Sequence, residues 1–424
     1  MPLFARPKRN PEPEAAAAVH DSVRIDAVAE RSVAGYRDHL LGEVVPLRPF
    51  GIGLLDAAGL HLCESLSADL DLPIRSFATA SGWGVRAANI VGASPAHPVA
   101  LPVLDEIGVG ELPGEPLPPG AAVKVAAGAP IPHGVDAVIR DDIAAAVGEA
   151  IRVTGEARVQ QNLVLAGSRI LDGDRILDNG TELGPRALGL IAEVGHDKVL
   201  ARPKPRVVVV SIGDDLVEPG LPLTRIDQRY DASTVMIAAA ARADGAHTYP
   251  AGILPMNPDQ IATGLGEQLV RADLVLINAE IGPGLLAALT ELGRFEICRV
   301  DGFSGAFAFG LAGAEQVPTL VLPANPVAGF LGYQLFARPL VEQLAGRSPS
   351  EPEQVPAKLA VEVAADPRHA TIILADYTGE LVRPLPASGE QGAIELAVAN
   401  AAILVGPASS PIPAQTDVDC WLLS

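Results

Sequence analysis

Arg206-Val207-Val208-Val209-Val210-Ser211-Ile212-Gly213-Asp214-Asp215 opens the most regular part of the chain. Four valines in a row with no polar interruption read as a strand covered on both faces, because a strand with one wet face would alternate. Two similar runs follow, Asp273-Leu274-Val275-Leu276-Ile277 and Thr319-Leu320-Val321-Leu322. Helical patterns stand around them over 186–194, 231–242, 259–270 and about 327–344, the first opened by Pro185 and stopped by Gly195. Strands alternating with helices predict an α/β unit with a parallel sheet covered on both faces. In such a sheet ligands bind outside the carboxyl ends of the strands, so the loops after the three runs are the places to look.

After the first run, Gly213 permits a tight turn, and Ser211, Asp214 and Asp215 offer oxygens. The two acids can hold a metal or a hydroxyl, or simply cap a turn as solvated side chains. After the second, Asn278-Ala279-Glu280-Ile281-Gly282-Pro283-Gly284 is a glycine-rich loop opening a helix, a shape that cradles anions through backbone amides. After the third, Asn325 is confined by Pro326 and either caps the following helix or touches a ligand.

Working outward, 21–41 carries apolar residues at helical spacing with Asp21 or Ser22 as N-cap, and 53–60 repeats the pattern briefly. From 73 to about 142 short strands and Gly-Pro breaks predict a small β-barrel-like module. Residues 144–185 return to short strands and end at Asn179-Gly180, a hairpin signal. Past a linker at Ser348-Pro349-Ser350-Glu351-Pro352, strands are expected at 358–363, 370–375, 393–398, 401–405 and 417–422. The first 20 residues, with Pro11, Pro13 and an alanine run, are expected to form a disordered arm.

Composition narrows the functional classes. The 424 residues carry 51 acids against 31 lysines and arginines, a formal charge of −20, which argues against a nucleic-acid binder. The 49% apolar share and the length suit about three folded domains. Cys63, Cys298 and Cys420 are too scattered for a disulfide framework, and none of the eight histidines has the spacing of a metal ligand. No membrane-spanning stretch is read, and a cytoplasmic protein is expected. From the residues alone, the expectation is a multi-domain α/β protein with a ligand crevice and no assignable catalytic set.

The strand-end loops also carry a resemblance. Val208 to Val217, then Tyr230-Asp231-Ala232-Ser233, then Leu322-Pro323-Ala324-Asn325-Pro326-Val327, stand in the order seen in the family of MoeA and the gephyrin E domain. Ala127-Gly128-Ala129-Pro130-Ile131-Pro132-His133-Gly134 and Ser81-Gly82-Trp83-Gly84-Val85-Arg86 are similar to two further family segments upstream. The resemblance implies an elongated homodimer with a discontinuous domain I at 21–70 plus 144–185 and an inserted β domain II at 71–143. It also implies a molybdopterin-binding-like α/β domain III at 186–347 and a C-terminal β-barrel domain IV at 348–424. The family's reaction is magnesium-dependent insertion of molybdate into adenylylated molybdopterin, so molybdopterin and Mg²⁺ are the implied ligands.

Against the family pattern, Phe77 stands for an asparagine, Ser81 and Arg169 for aspartates, and Ser233 for an asparagine. Leu285, Leu286 and Ala287 replace an acidic loop end, and the 302–310 segment has lost both of its lysines. Asp142, Asp214, Asp215 and Asn325 remain, along with the shaping residues Gly82, Gly128, Pro130, Gly213, Gly284, Pro323 and Pro326. Two readings follow. One is a binding or scaffold protein that has lost molybdate insertion; Ser211, Gly213, Asp214, Asn278, Gly282, Gly284, Asn325 and Pro326 would shape its ligand crevice. Phe303, Phe307 and Tyr333 would then line a groove for a peptide or protein partner, unless they are core. The other is a divergent molybdotransferase working through Asp142, Asp214, Asp215 and Asn325.

Overall fold

A computed structural model describes residues 28–386 and 391–423, and the chain divides into two compact units. Residues up to Arg48 join Pro203–Ser424 in one; Pro49–Arg202 form the other. The expected arm over 1–20, and the caps at Asp21 or Ser22, lie outside the described residues.

The first unit is built on a seven-stranded sheet. Its order is Ala29–Arg31, Gly293–Val300, Ala306–Ala312, Val317–Leu322, Leu274–Asn278, Arg206–Ile212, His247–Leu254. The last four are mutually parallel, as the apolar runs predicted. Ala306–Ala312 and Gly293–Val300 extend the sheet antiparallel, so the whole is mixed. The valine run explains itself by the pleat. Val207 and Val209 pack with Ile237, Phe307 and Phe336 on one face. Val208 and Val210 pack with Ile261, Leu285 and Leu289 on the other. Each such buried side chain contributes about 1.5–3 kcal/mol relative to exposure.

The flanking helices run over Ser233–Ala243, Pro258–Leu269, Pro283–Leu292 and Pro326–Leu344, the last with a π-helical turn at Tyr333–Ala337. The amino-terminal helix is shorter than its periodicity predicted. Residues Ala29–Arg31 pair with the sheet as a strand, and the helix Val33–Glu43 starts behind Ser32, whose Oγ accepts from the Gly35 N–H at 3.1 Å. Sheet pairing over three residues overrode the helical pattern there.

Past the linker, Gln354–Leu359, Leu381–Pro384, Thr371–Tyr377, Ala401–Val405 and Asp417–Leu422 close into a five-stranded barrel. Ala393–Val398, expected as a strand, is a helix. Its first turn is tied by Glu395 Oε2, which accepts the Gly392 N–H at 2.7 Å. Six residues of mixed apolar character satisfy either period, and the acid three residues after Gly392 decides for the helix.

The second unit carries a six-stranded sheet ordered Ala137–Ile139, Gly82–Val85, Ala122–Val125, Val99–Ile107, Ala150–Val153, Ala144–Val147. Gly82 is obligatory: its φ is +157°, and a Cβ would stand 2.1 Å from the Ile139 carbonyl oxygen. Of the strands after residue 143, Ala150–Val153 pairs with Val99–Ile107 and Ala144–Val147 pairs with Ala150–Val153, so both belong to this sheet. Two expectations fail in this unit. Residues 54–59 form turns where a short helix was expected. Asn179-Gly180 does turn, with Gly180 at φ +86°, yet no hairpin forms. Arg175–Leu177 pairs with Leu66–Ser67, while Glu182 bridges to His61.

Candidate functional site

The strand ends of the seven-stranded sheet bring together most of the expected site residues. Gly213 gives the Asp215 side chain room, since a Cβ there would lie 2.9 Å from Asp215 Oδ1 and push it aside. Ser211, just before it, is buried. Its hydroxyl donates to Asp231 Oδ1 at 3.0 Å and shares a 2.8 Å hydrogen bond with the Thr234 hydroxyl. The same Asp231 oxygen accepts the Thr234 N–H at 3.1 Å, which satisfies a free amide at the helix start. Ser211 therefore serves the fold: its polar atom is engaged inside the protein. Asp231 was named from sequence only as part of the Tyr230–Ser233 stretch and Thr234 not at all, although an aspartate three residues before the threonine at a helix start is a capping signal.

Asp214 and Asp215 diverge in role. Asp214 Oδ1 accepts the Met256 N–H at 3.0 Å, and its carbonyl accepts Arg225 Nη2 at 2.8 Å. Asp215 Oδ2 receives Arg229 Nε at 2.7 Å, while its carbonyl receives the Arg229 N–H at 2.9 Å. Arg225 also grips both oxygens of Asp227, at 3.0 and 2.8 Å. That bidentate bond, reinforced by the residue's own backbone N–H, holds the Asp227 carboxyl below its ordinary range. Neither arginine figured among the sequence candidates; no local motif marks them.

Asn278 and Asn325 act on the backbone. Buried Asn278 donates through Nδ2 to the Pro323 carbonyl at 2.6 Å, joining the ends of two neighbouring strands. Gly329 lets the next helix close onto this joint, since a Cβ there would come within 2.8 Å of Asn278 Nδ2. Asn325 caps that helix: its Oδ1 accepts the Val327 and Ala328 N–H groups at 2.9 and 3.2 Å, with Pro326 in the first turn. Gly282 is the uncapped start of the Pro283–Leu292 helix, and Gly284 approaches Met256. Between these loops lies a cleft of about 360 Å³ lined by segments 279–281, 304–306 and 323–325. Glu280 is the one charged side chain among the described residues that line it.

The expected aromatic groove is corrected by the packing. Phe307 and Tyr333 are fully buried. Phe307 stacks edge-on against Phe303 at 5.0 Å and Phe336 at 5.2 Å, so its ring is core. The Tyr333 hydroxyl donates to Asp244 Oδ2 at 2.6 Å, and burial, with that bond, pushes its pKa far up. Phe303 alone is half-buried and opens onto a cavity of about 570 Å³ walled by Val327, Leu331, Ile372, Ile373 and Leu385. Asp142 is an exposed turn residue of the other unit. Among the described residues no group of three or more His, Cys, Asp or Glu is arranged to hold a metal ion.

Comparison with known proteins decides the lineage. Residues 25–195 match the family described as MoeA N-terminal region, domains I and II. Molybdopterin molybdenumtransferase 1 of Mycobacterium tuberculosis is 30% identical over 341 residues, spanning 75% of this chain and 79% of the relative. The chain belongs to the MoeA family. A Staphylococcus epidermidis molybdopterin molybdenumtransferase is 24% identical over 402 residues, covering 90% of this chain and 93% of its own length. The MoeA crystal structure from Pyrococcus horikoshii superposes with a TM-score of 0.71 at 22% identity, over 93% of this chain and 99% of that one, which establishes the MoeA fold.

Within the MoeA family the implied ligands are Mg²⁺ and a phosphate-bearing pterin, and the strand-end donor set does not fit them. Magnesium asks for near-octahedral oxygen at roughly 2.0–2.1 Å and binds through free carboxylates and phosphates. Here Asp215 is paired to Arg229, and Asp231 accepts two donors from Ser211 and Thr234. The cleft beside them offers no lysine or arginine to a phosphate. The fold of MoeA is kept, while Asp214 and Asp215, though exposed or half-exposed, bond to Met256 and Arg229 of the same chain.

Proposed function

We propose that this MoeA-family protein no longer inserts molybdate and acts as a homodimeric binding or scaffold protein. The observation that carries the reading is the strand-end cleft of about 360 Å³, whose lining holds one acid and no cation. Transition-state stabilisation of an oxyanion or phosphoryl group rests on fixed positive charge and metal, typically worth several kcal/mol. A cleft without either retains shape but not that chemistry. The cavity beside Phe303 supports the binding half of the reading: Val327, Leu331, Ile372, Ile373 and Leu385 offer apolar surface to a partner's side chains, with Asn325, Glu362 and Gln391 as polar groups among them.

A second reading stands on the relatives. Proteins named molybdopterin molybdenumtransferase match this chain at 30% identity, and Asp214, Asp215 and Asn325 keep their places. Calorimetry with adenylylated molybdopterin, molybdate and Mg²⁺ separates the two. The scaffold reading expects no magnesium-dependent heat. Magnesium-dependent binding that disappears in Asp214→Ala would favour the transferase.

A further inference from the structure

The loop between Gly213 and Asp231 holds four exposed or half-exposed carboxylates, those of Asp214, Asp215, Glu218 and Asp227, and two arginines, Arg225 and Arg229. Like charges this close repel unless something compensates them, and in many strand-end sites a divalent cation does so. In this chain the compensation comes from within. Arg229 ties Asp215 twice, by Nε to the carboxylate at 2.7 Å and by its N–H to the carbonyl at 2.9 Å. Leu216–Val217 and Arg229–Tyr230 then pair as parallel strands, so the salt bridge closes a short ladder. Arg225 spans the loop from the Asp214 carbonyl to both Asp227 oxygens. Gln228 Oε1 accepts the Thr224 and Arg225 N–H groups at 2.7 and 3.0 Å, which shapes the turn that aims Arg225. The Tyr230 hydroxyl donates to the Leu221 carbonyl at 3.0 Å and pins the far side.

From this geometry we propose that Arg225 and Arg229 form an internal latch, standing in for a cation and keeping the loop ordered without one. A divalent ion seeking Asp215 would have to displace Arg229 and sit beside two fixed positive charges. The latched loop turns Leu221, Leu223 and Ile226 outward, with Ile226 fully exposed, so what it holds in place is an apolar tip. The latch deepens the scaffold reading and rests on it, because a loop that needs no metal fits a protein that performs no metal-dependent step. Each pair is weak alone, since the arginine side chains are 51% and 47% exposed; the effect lies in the ring of bonds.

Limited trypsin digestion of the full chain tests it, because trypsin cuts after Arg225 and Arg229 only when the loop opens. Fragments beginning at Ile226 and Tyr230 are followed by mass spectrometry, with cleavage elsewhere in the chain as the internal reference. The latch predicts about fivefold faster loop cleavage in Asp215→Asn/Asp227→Asn than in wild type, at an unchanged reference rate. It also predicts wild-type cleavage that is the same in 5 mM EDTA and in 10 mM MgCl₂. Equal cleavage of wild type and the double variant would overturn the latch, as would wild-type protection that depends on Mg²⁺. Turnover of adenylylated molybdopterin by the wild type would instead sink the functional reading, and the cleavage ratio would still report on the latch.

Discussion

The loop after Arg206–Ile212 and the cleft between the next two strand ends lie on the same edge of one sheet and are built in opposite ways. The first is dense with charge, and the bonds found for Asp214, Asp215 and Asp227 run to Met256, Arg225 and Arg229 of the same unit. The second has almost no charge, and its two asparagines hold backbone to backbone. In both, the side chains that survive from the family pattern serve shape. The difference teaches that residues of an inherited motif can be held by their hydrogen bonds to the fold, in a charged loop as in an almost uncharged cleft.

The sharpest way to break this comparison is through the aromatic core behind the cleft. Phe307→Ala should cost about 3–5 kcal/mol, while half-buried Phe303→Ala should cost about 1–2 kcal/mol. Urea titrations of both variants check it; equal costs would mean that Phe307 is not the core residue its burial indicates. Next comes Ser211→Ala. Removing a hydroxyl that donates to a buried carboxylate leaves Asp231 short of a partner, at about 1–3 kcal/mol. If Ser211 served a ligand instead, the change would leave stability untouched and alter only binding.

The charged loop should respond less. Asp215→Asn loosens a half-exposed pair and should lower global stability by less than about 1 kcal/mol, again read by denaturation. Smallest is the pH effect at Asp227. Its folded pKa lies below the ordinary carboxylate value, so its pairing with Arg225 is complete above that ordinary value. It is lost as pH falls through the lowered value, and carboxyl-detected NMR titration should show that displaced midpoint. A midpoint in the ordinary carboxylate range would remove Arg225 from the account.

Much of this was legible in the sequence. The valine run, the two apolar strands after it and the glycines that shape their ends led directly to the parallel core, because burial on both faces leaves an unmistakable pattern. The strands Gly293–Val300 and Ala306–Ala312 were less visible, since Phe307, Phe309 and Gly310 mix aromatic and small residues in a run without a clean period. Ala393–Val398 was ambiguous for its shortness. At the site, residue types were readable and their partners were not. That Asp215 meets Arg229 depends on a parallel pairing of two-residue strands, and that Phe307 and Tyr333 are core depends on how helix and sheet pack. Spacing along the chain carries neither fact.

The central claim concerns chemistry, and one assay addresses it most directly. Purified protein is incubated with adenylylated molybdopterin, molybdate and Mg²⁺, and molybdate-dependent release of AMP is followed beside an active family member. The account predicts release no faster than in a protein-free control. Release that requires both molybdate and the protein, and that falls when Asp214 or Asp215 is neutralised, would contradict it.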